Sequence, residues 1–130
     1  KLMFGGYQKE SAAAQIRLAR AASTMRSARL MFDAAVHDLC APLRGESYPS
    51  PATRVRIRMD CAHVVDLVKQ VLALIADGAG ASSHFLDSPL QRFRRDVSVL
   101  SGHILFDYDR AAELQGRMML GVKPPAGTIV

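Results

Sequence analysis

The chain contains no tryptophan, five phenylalanines and three tyrosines among 130 residues. Its β-branched residues do not alternate with polar ones, so the half-buried strands of an antiparallel sheet have no sequence basis. Only two cysteines are present, Cys40 and Cys61, which excludes a disulfide scaffold. Without a secretory pattern they read as reduced thiols in a cytoplasmic protein. No apolar run is long enough to span a bilayer, and no signal-peptide pattern opens the chain. Internal repeats and low-complexity tracts are missing too. The first residue is Lys1 rather than methionine, so the chain is read as part of a longer protein.

What is present favours helix. Ala, Leu, Arg, Met and Val dominate, and 49% of the residues are apolar, enough for one domain with a packed core. The net charge of +5 suits nucleic acid, a phosphate-bearing cofactor or an acidic neighbouring subunit.

From Ser11 to about Ala41 the pattern is helical, with Leu18, Ala22, Met25, Phe32, Val36 and Leu39 as a nearly heptad stripe. Arg29 interrupts it, with Asp33 one turn later as its partner. Ser50-Pro51 is a cap-then-proline start for a second helix to about Ala76, with Ile57, Cys61, Val64, Val68, Val71 and Ile75 as its seam. Gly78 to Ser83 reads as a small-residue loop. Ser88, Pro89 and Gln91 then form a capping-box signal, followed by the stripe Leu90, Phe93, Val97, Leu100 and Ile104. Asp107 can cap a fourth, shorter helix that Gly121 stops. Two long and two shorter helices predict an all-α, up-down four-helix bundle over residues 1–130.

Pro89-Leu90-Gln91-Arg92, Arg95-Asp96, His103, Gly116 and Leu120-Gly121 together resemble the C-terminal helical domain of acyl-CoA dehydrogenase-like flavoproteins. The pattern is nearer the type 2 branch, which includes oxygenase components of two-component flavin-dependent monooxygenases. The resemblance implies a flavin cofactor, FMN or FAD, supplied in reduced form by a separate reductase. It also implies a homo-oligomer, usually a tetramer, and a small aromatic or heteroatom substrate. Acyl-CoA dehydrogenases of the common type carry a glutamate base near this point, in a Tyr-Glu-Gly-Thr run. Here the chain reads Gly102-His103-Ile104, with no carboxylate between Val97 and Phe106, which favours oxygen chemistry over α-proton abstraction.

The resemblance makes His103 the catalytic candidate, a histidine near flavin and substrate suited to moving a proton. Taken alone, a histidine at a helix end is more often a solvent-facing residue. Gly80, Ala81, Ser82 and Ser83 become cofactor-binding candidates, whereas small residues by themselves only make a tight turn. Arg92 could face a flavin phosphate or simply pair with a neighbouring carboxylate. His84 offers no feature that selects it. Metal binding finds no support: Cys61 and His63 point about 200° apart on a helix, a spacing that does not close a tetrahedral site with His37 and Cys40. The arginines at 17, 20, 26 and 29, at 54, 56 and 58, and at 92, 94 and 95 lack a recognition motif or interleaved aromatics, so they read as solvated faces rather than a nucleic-acid footprint. Two other functions fit the same features: an acyl-CoA dehydrogenase with its base elsewhere, and a non-catalytic helical interaction or nucleic-acid module.

Overall fold

The computed structural model describes residues 7–125, 127 and 128, with Ser82 and His84 described by their backbone alone. Among these residues there are four α-helices: α1 (Ala12–Leu39), α2 (Pro51–Ala79), α3 (Pro89–Ser101) and α4 (Tyr108–Met119). The all-α expectation holds. The extensive packing all runs through α2, which lies against α1, α3 and α4.

Local chemistry explains most of the boundaries. Ser50 accepts the Thr53 amide on its hydroxyl at 3.1 Å, and Pro51 begins α2 without wasting a donor. Asp107 does the same for α4, accepting the Arg110 amide at 3.1 Å. At the far end of α4, Gly121 has φ +69°. Its amide donates to the Met118 carbonyl, and that of Val122 to the Arg117 carbonyl. This is a Schellman closure, and only glycine adopts that backbone readily. By contrast, Ser88 makes no side-chain cap. Its carbonyl accepts the Gln91 and Arg92 amides instead, and Gln91 Oε1 is buried without a hydrogen-bond partner.

The expected seam of α1 is incorrect. Leu18, Ala22, Met25, Phe32, Val36 and Leu39 are all exposed, with Leu18 70% and Leu39 59% accessible. The buried line is Ala21, Ala28 and Ala35, with Ala14, Thr24 and Met31 half-buried beside it. Alanines at seven-residue steps let the α1 backbone approach α2 closely, which larger side chains would prevent. The pair at Arg29 is as expected: its Nε lies 2.9 Å from Asp33 Oδ1.

In α2 the core is wider than the expected seam. Ile57 and Val71 are buried, but so are Val55, Ala62, Val65 and Ala76, while Ile75 is exposed. A helix with three neighbours buries residues around most of its circumference. Its start is also tied to the end of α1. Arg56 bridges Asp38 on α1 and Asp60 on its own helix. The Arg56 hydrogen bond, helped by His37, holds the Asp38 carboxyl below its usual range. At Asp60 burial outweighs the pull of Arg56 and moves the carboxyl upward.

Candidate functional site

The small residues before α3 do not form an open loop. Gly78 and Ala79 complete α2, and a 3-10 turn, Gly80–His84, carries the chain into α3. Gly80 has φ +69° with open space around its α-carbon, so glycine is needed there for backbone freedom rather than for room. Ser83 is only 2% exposed, and its hydroxyl donates to the Gly80 carbonyl at 2.7 Å. It therefore closes the turn from inside, leaving Gly80 and Ala81 exposed. The Ser82 and His84 side chains lie outside the described atoms.

Arg92 sits one turn into α3, exposed, with its Nε 3.6 Å from Asp96 Oδ2. The pair lies within α3 and ties no two helices together. Gly80 and Ala81 leave backbone exposed in the turn, and exposed Phe85 and Leu86 follow it before the helix that carries the solvent-facing Arg92 guanidinium, a group suited to pairing with a phosphate.

His103 lies at the other end of α3. The helix stops at Ser101, and a second 3-10 turn, Ile104–Phe106, follows it and packs on α2. Ile104, expected on the α3 stripe, belongs to that turn. The ring is exposed, and its Nδ1 accepts the Leu105 amide at 3.3 Å. With Nδ1 used as an acceptor, the neutral ring carries its proton on Nε2 and can donate it outward. The Phe106 ring stands 6.0 Å away, tilted by 53°.

Thirteen helical residues separate the two ends, about 20 Å of rise. One chain therefore does not bring His103 together with Gly80–Ser83 and Arg92.

The corner after α3 also holds a residue that sequence reasoning passed over. Arg58, noted only within a run of arginines, donates from Nη2 to the Ile104 carbonyl at 3.3 Å. It lines a cleft of about 450 Å³ with Leu105, Arg110, Glu113 and Arg117 among the other walls. No local pattern marks a contact 46 residues away in sequence.

Other candidates stay apart. Burial, with a smaller push from Asp60, raises the Cys61 thiol, which disfavours the thiolate a nucleophile or metal ligand needs. Among the described residues no three His, Cys, Asp or Glu side chains gather as a metal site, and no helix is long and apolar enough to cross a membrane. Arg29, Arg44, Arg110 and Arg117 are each paired with a carboxylate within their own segment, as solvated faces are.

These features describe a helical domain whose candidate residues lie at two separate ends of α3. Residues 1–108 match the family described as acyl-CoA dehydrogenase, C-terminal domain, and the chain belongs to that family. It is 35% identical over 108 residues to the "Pigment production hydroxylase" of a Rhodococcus species, covering 83% of this chain and 27% of that protein. It is 28% identical over 111 residues to the "p-hydroxyphenylacetate 3-hydroxylase, oxygenase component" of Acinetobacter baumannii, covering 85% of this chain and 26% of that one. The fold matches the structure of "XiaF from Streptomyces sp. in complex with FADH2 and Glycerol" with a TM-score of 0.87 at 26% identity. That likeness covers 98% of this chain and 33% of the other. The chain spans about a quarter to a third of the length of these relatives.

Proposed function

We propose that this chain is the C-terminal helical domain of a longer flavoprotein, the oxygenase component of a two-component, reduced-flavin-dependent monooxygenase. The observation that carries the reading is the junction after α3. It offers an imidazole with Nδ1 bound to the backbone and Nε2 without a partner among the described residues, with no carboxylate in the sequence between Val97 and Phe106. That suits moving a proton at an oxygen atom and leaves no base at this point for α-proton abstraction. The hydroxylase relatives support the same choice.

The flavin, FMN or FAD, would supply the activation of molecular oxygen. Gly80 and Ala81 would lie against it through backbone, Arg92 would neutralise its phosphate, and Ser83 would keep the turn shaped for contact; Ser82 stands in the same turn. His103 would hold its proton on Nε2 and present it as a hydrogen bond to a reacting oxygen. Because the two ends of α3 are about 20 Å apart, the turn and His103 serve different flavins, or different parts of one site shared between subunits. A homotetramer provides such sharing, and the exposed stripe of α1 gives it apolar surface to bury. Partners would be a flavin reductase and a small aromatic or heteroatom substrate, in the cytoplasm.

The test uses the full-length protein with chemically reduced flavin, oxygen and phenolic substrates. Oxygen incorporated into product supports the reading. Reduction of an electron acceptor by an acyl-CoA, without oxygen incorporation, selects a dehydrogenase instead.

A further inference from the structure

The hydrogen bonds at the α3–α4 corner share one peptide unit. The carbonyl of Ile104 accepts from Arg58 Nη2 at 3.3 Å, and the amide of Leu105 donates to His103 Nδ1 at 3.3 Å. That carbonyl and that amide are the two edges of the single planar group linking residues 104 and 105. The guanidinium on α2 and the imidazole are thus bonded to opposite edges of one plane. A cation on the carbonyl edge polarises the peptide and strengthens the amide as a donor. It also fixes the rotation of the plane, because the turn sits on α2.

We propose that Arg58 is a positioning residue for His103: by holding the Ile104 carbonyl it turns the Leu105 amide onto Nδ1 and keeps the ring proton on Nε2. Among the described residues Nε2 has no hydrogen-bond partner, so it is the nitrogen placed to meet a reacting oxygen. The catalytic consequence rests on the proposed role of His103; the tautomer does not.

Ring-15N histidine in the full chain, read by magic-angle-spinning NMR under alkaline conditions, reports which nitrogen is protonated in each neutral ring. His103→Gln identifies the signal among the four histidines. The expected wild-type spectrum has protonated Nε2 and bare Nδ1 at His103. Arg58→Met, which keeps the stem and removes the donors, should give a mixture of both tautomers, and Arg58→Lys should restore Nε2–H. If Arg58→Met does not fold, Arg58→Leu should show the same mixture. Protonated Nδ1 in the wild type overturns the proposal, and so does an unchanged tautomer in the folded Met or Leu variant.

In the full-length enzyme, product formed per reduced flavin oxidised should fall about tenfold in Arg58→Met, a modest share of the gain a positioned acid or base provides. The two readings fail separately. Normal product from His103→Ala removes the catalytic role while the tautomer result stands. An unchanged tautomer removes the positioning role of Arg58 and leaves His103 in place.

Discussion

Along α1, two neighbouring faces differ in the opposite sense from a self-contained bundle. The face against α2 is alanine at positions 21, 28 and 35, while Leu18, Met25, Phe32 and Leu39 stand beside it in solvent. Each large apolar side chain left uncovered forgoes roughly 1.5–3 kcal/mol of burial. At seven-residue steps these residues form one exposed apolar stripe along α1. α3 repeats the theme: none of its residues is fully buried, and Phe93 and Leu100 face outward. Small residues thus carry the α1 face of the fold, while larger apolar ones on α1 and α3 stay exposed.

Substitutions can break this contrast. Ala28→Leu forces extra volume between α1 and α2 and should cost about 1–3 kcal/mol in urea unfolding. Phe32→Ser, one turn away on the other face, should leave unfolding of the isolated chain nearly unchanged but weaken assembly of the full-length protein in analytical ultracentrifugation. Equal effects of the two on unfolding would dissolve the distinction. Next in size is Gly121→Ala, which places a side chain at φ +69° and should destabilise the end of α4 by about 1–2 kcal/mol, seen as a lower melting temperature.

The smallest effect concerns the tie between α1 and α2. Arg56 lowers the Asp38 carboxyl below its model-compound value of 3.8. That contribution is complete above pH 3.8 and is lost as pH falls through the depressed value. Asp38→Asn should therefore flatten part of the drop in melting temperature below that pH. Asp60 works the other way, since burial raises it and its protonation favours the fold.

Signals confined to one turn were legible in the sequence. Ser50-Pro51, Asp107 and Gly121 act where their neighbours alone dictate, because a cap needs only residues within one turn. The seam of α1 was not legible, because hydrophobic periodicity weights large residues and cannot tell a helix that packs through alanine. The capping box at Ser88 failed because its backbone carbonyl took the Gln91 amide that the side chain could have accepted. Of the candidate site, the residue types at Gly80, Arg92 and His103 were visible, and so was the helix between its two ends, from the cap signal at Ser88 along the stripe towards Ile104; the structure ends it slightly earlier, at Ser101. Arg58 was visible only as a charge, since its partner carbonyl belongs to a turn far along the chain.

The proposed role of His103 is open to one direct test: wild type and His103→Ala of the full-length protein, with flavin oxidation and hydroxylated product followed together. Flavin should still be oxidised while product falls by about a hundredfold, the lower range for a positioned acid or base. Unchanged product per flavin oxidised in His103→Ala would contradict it.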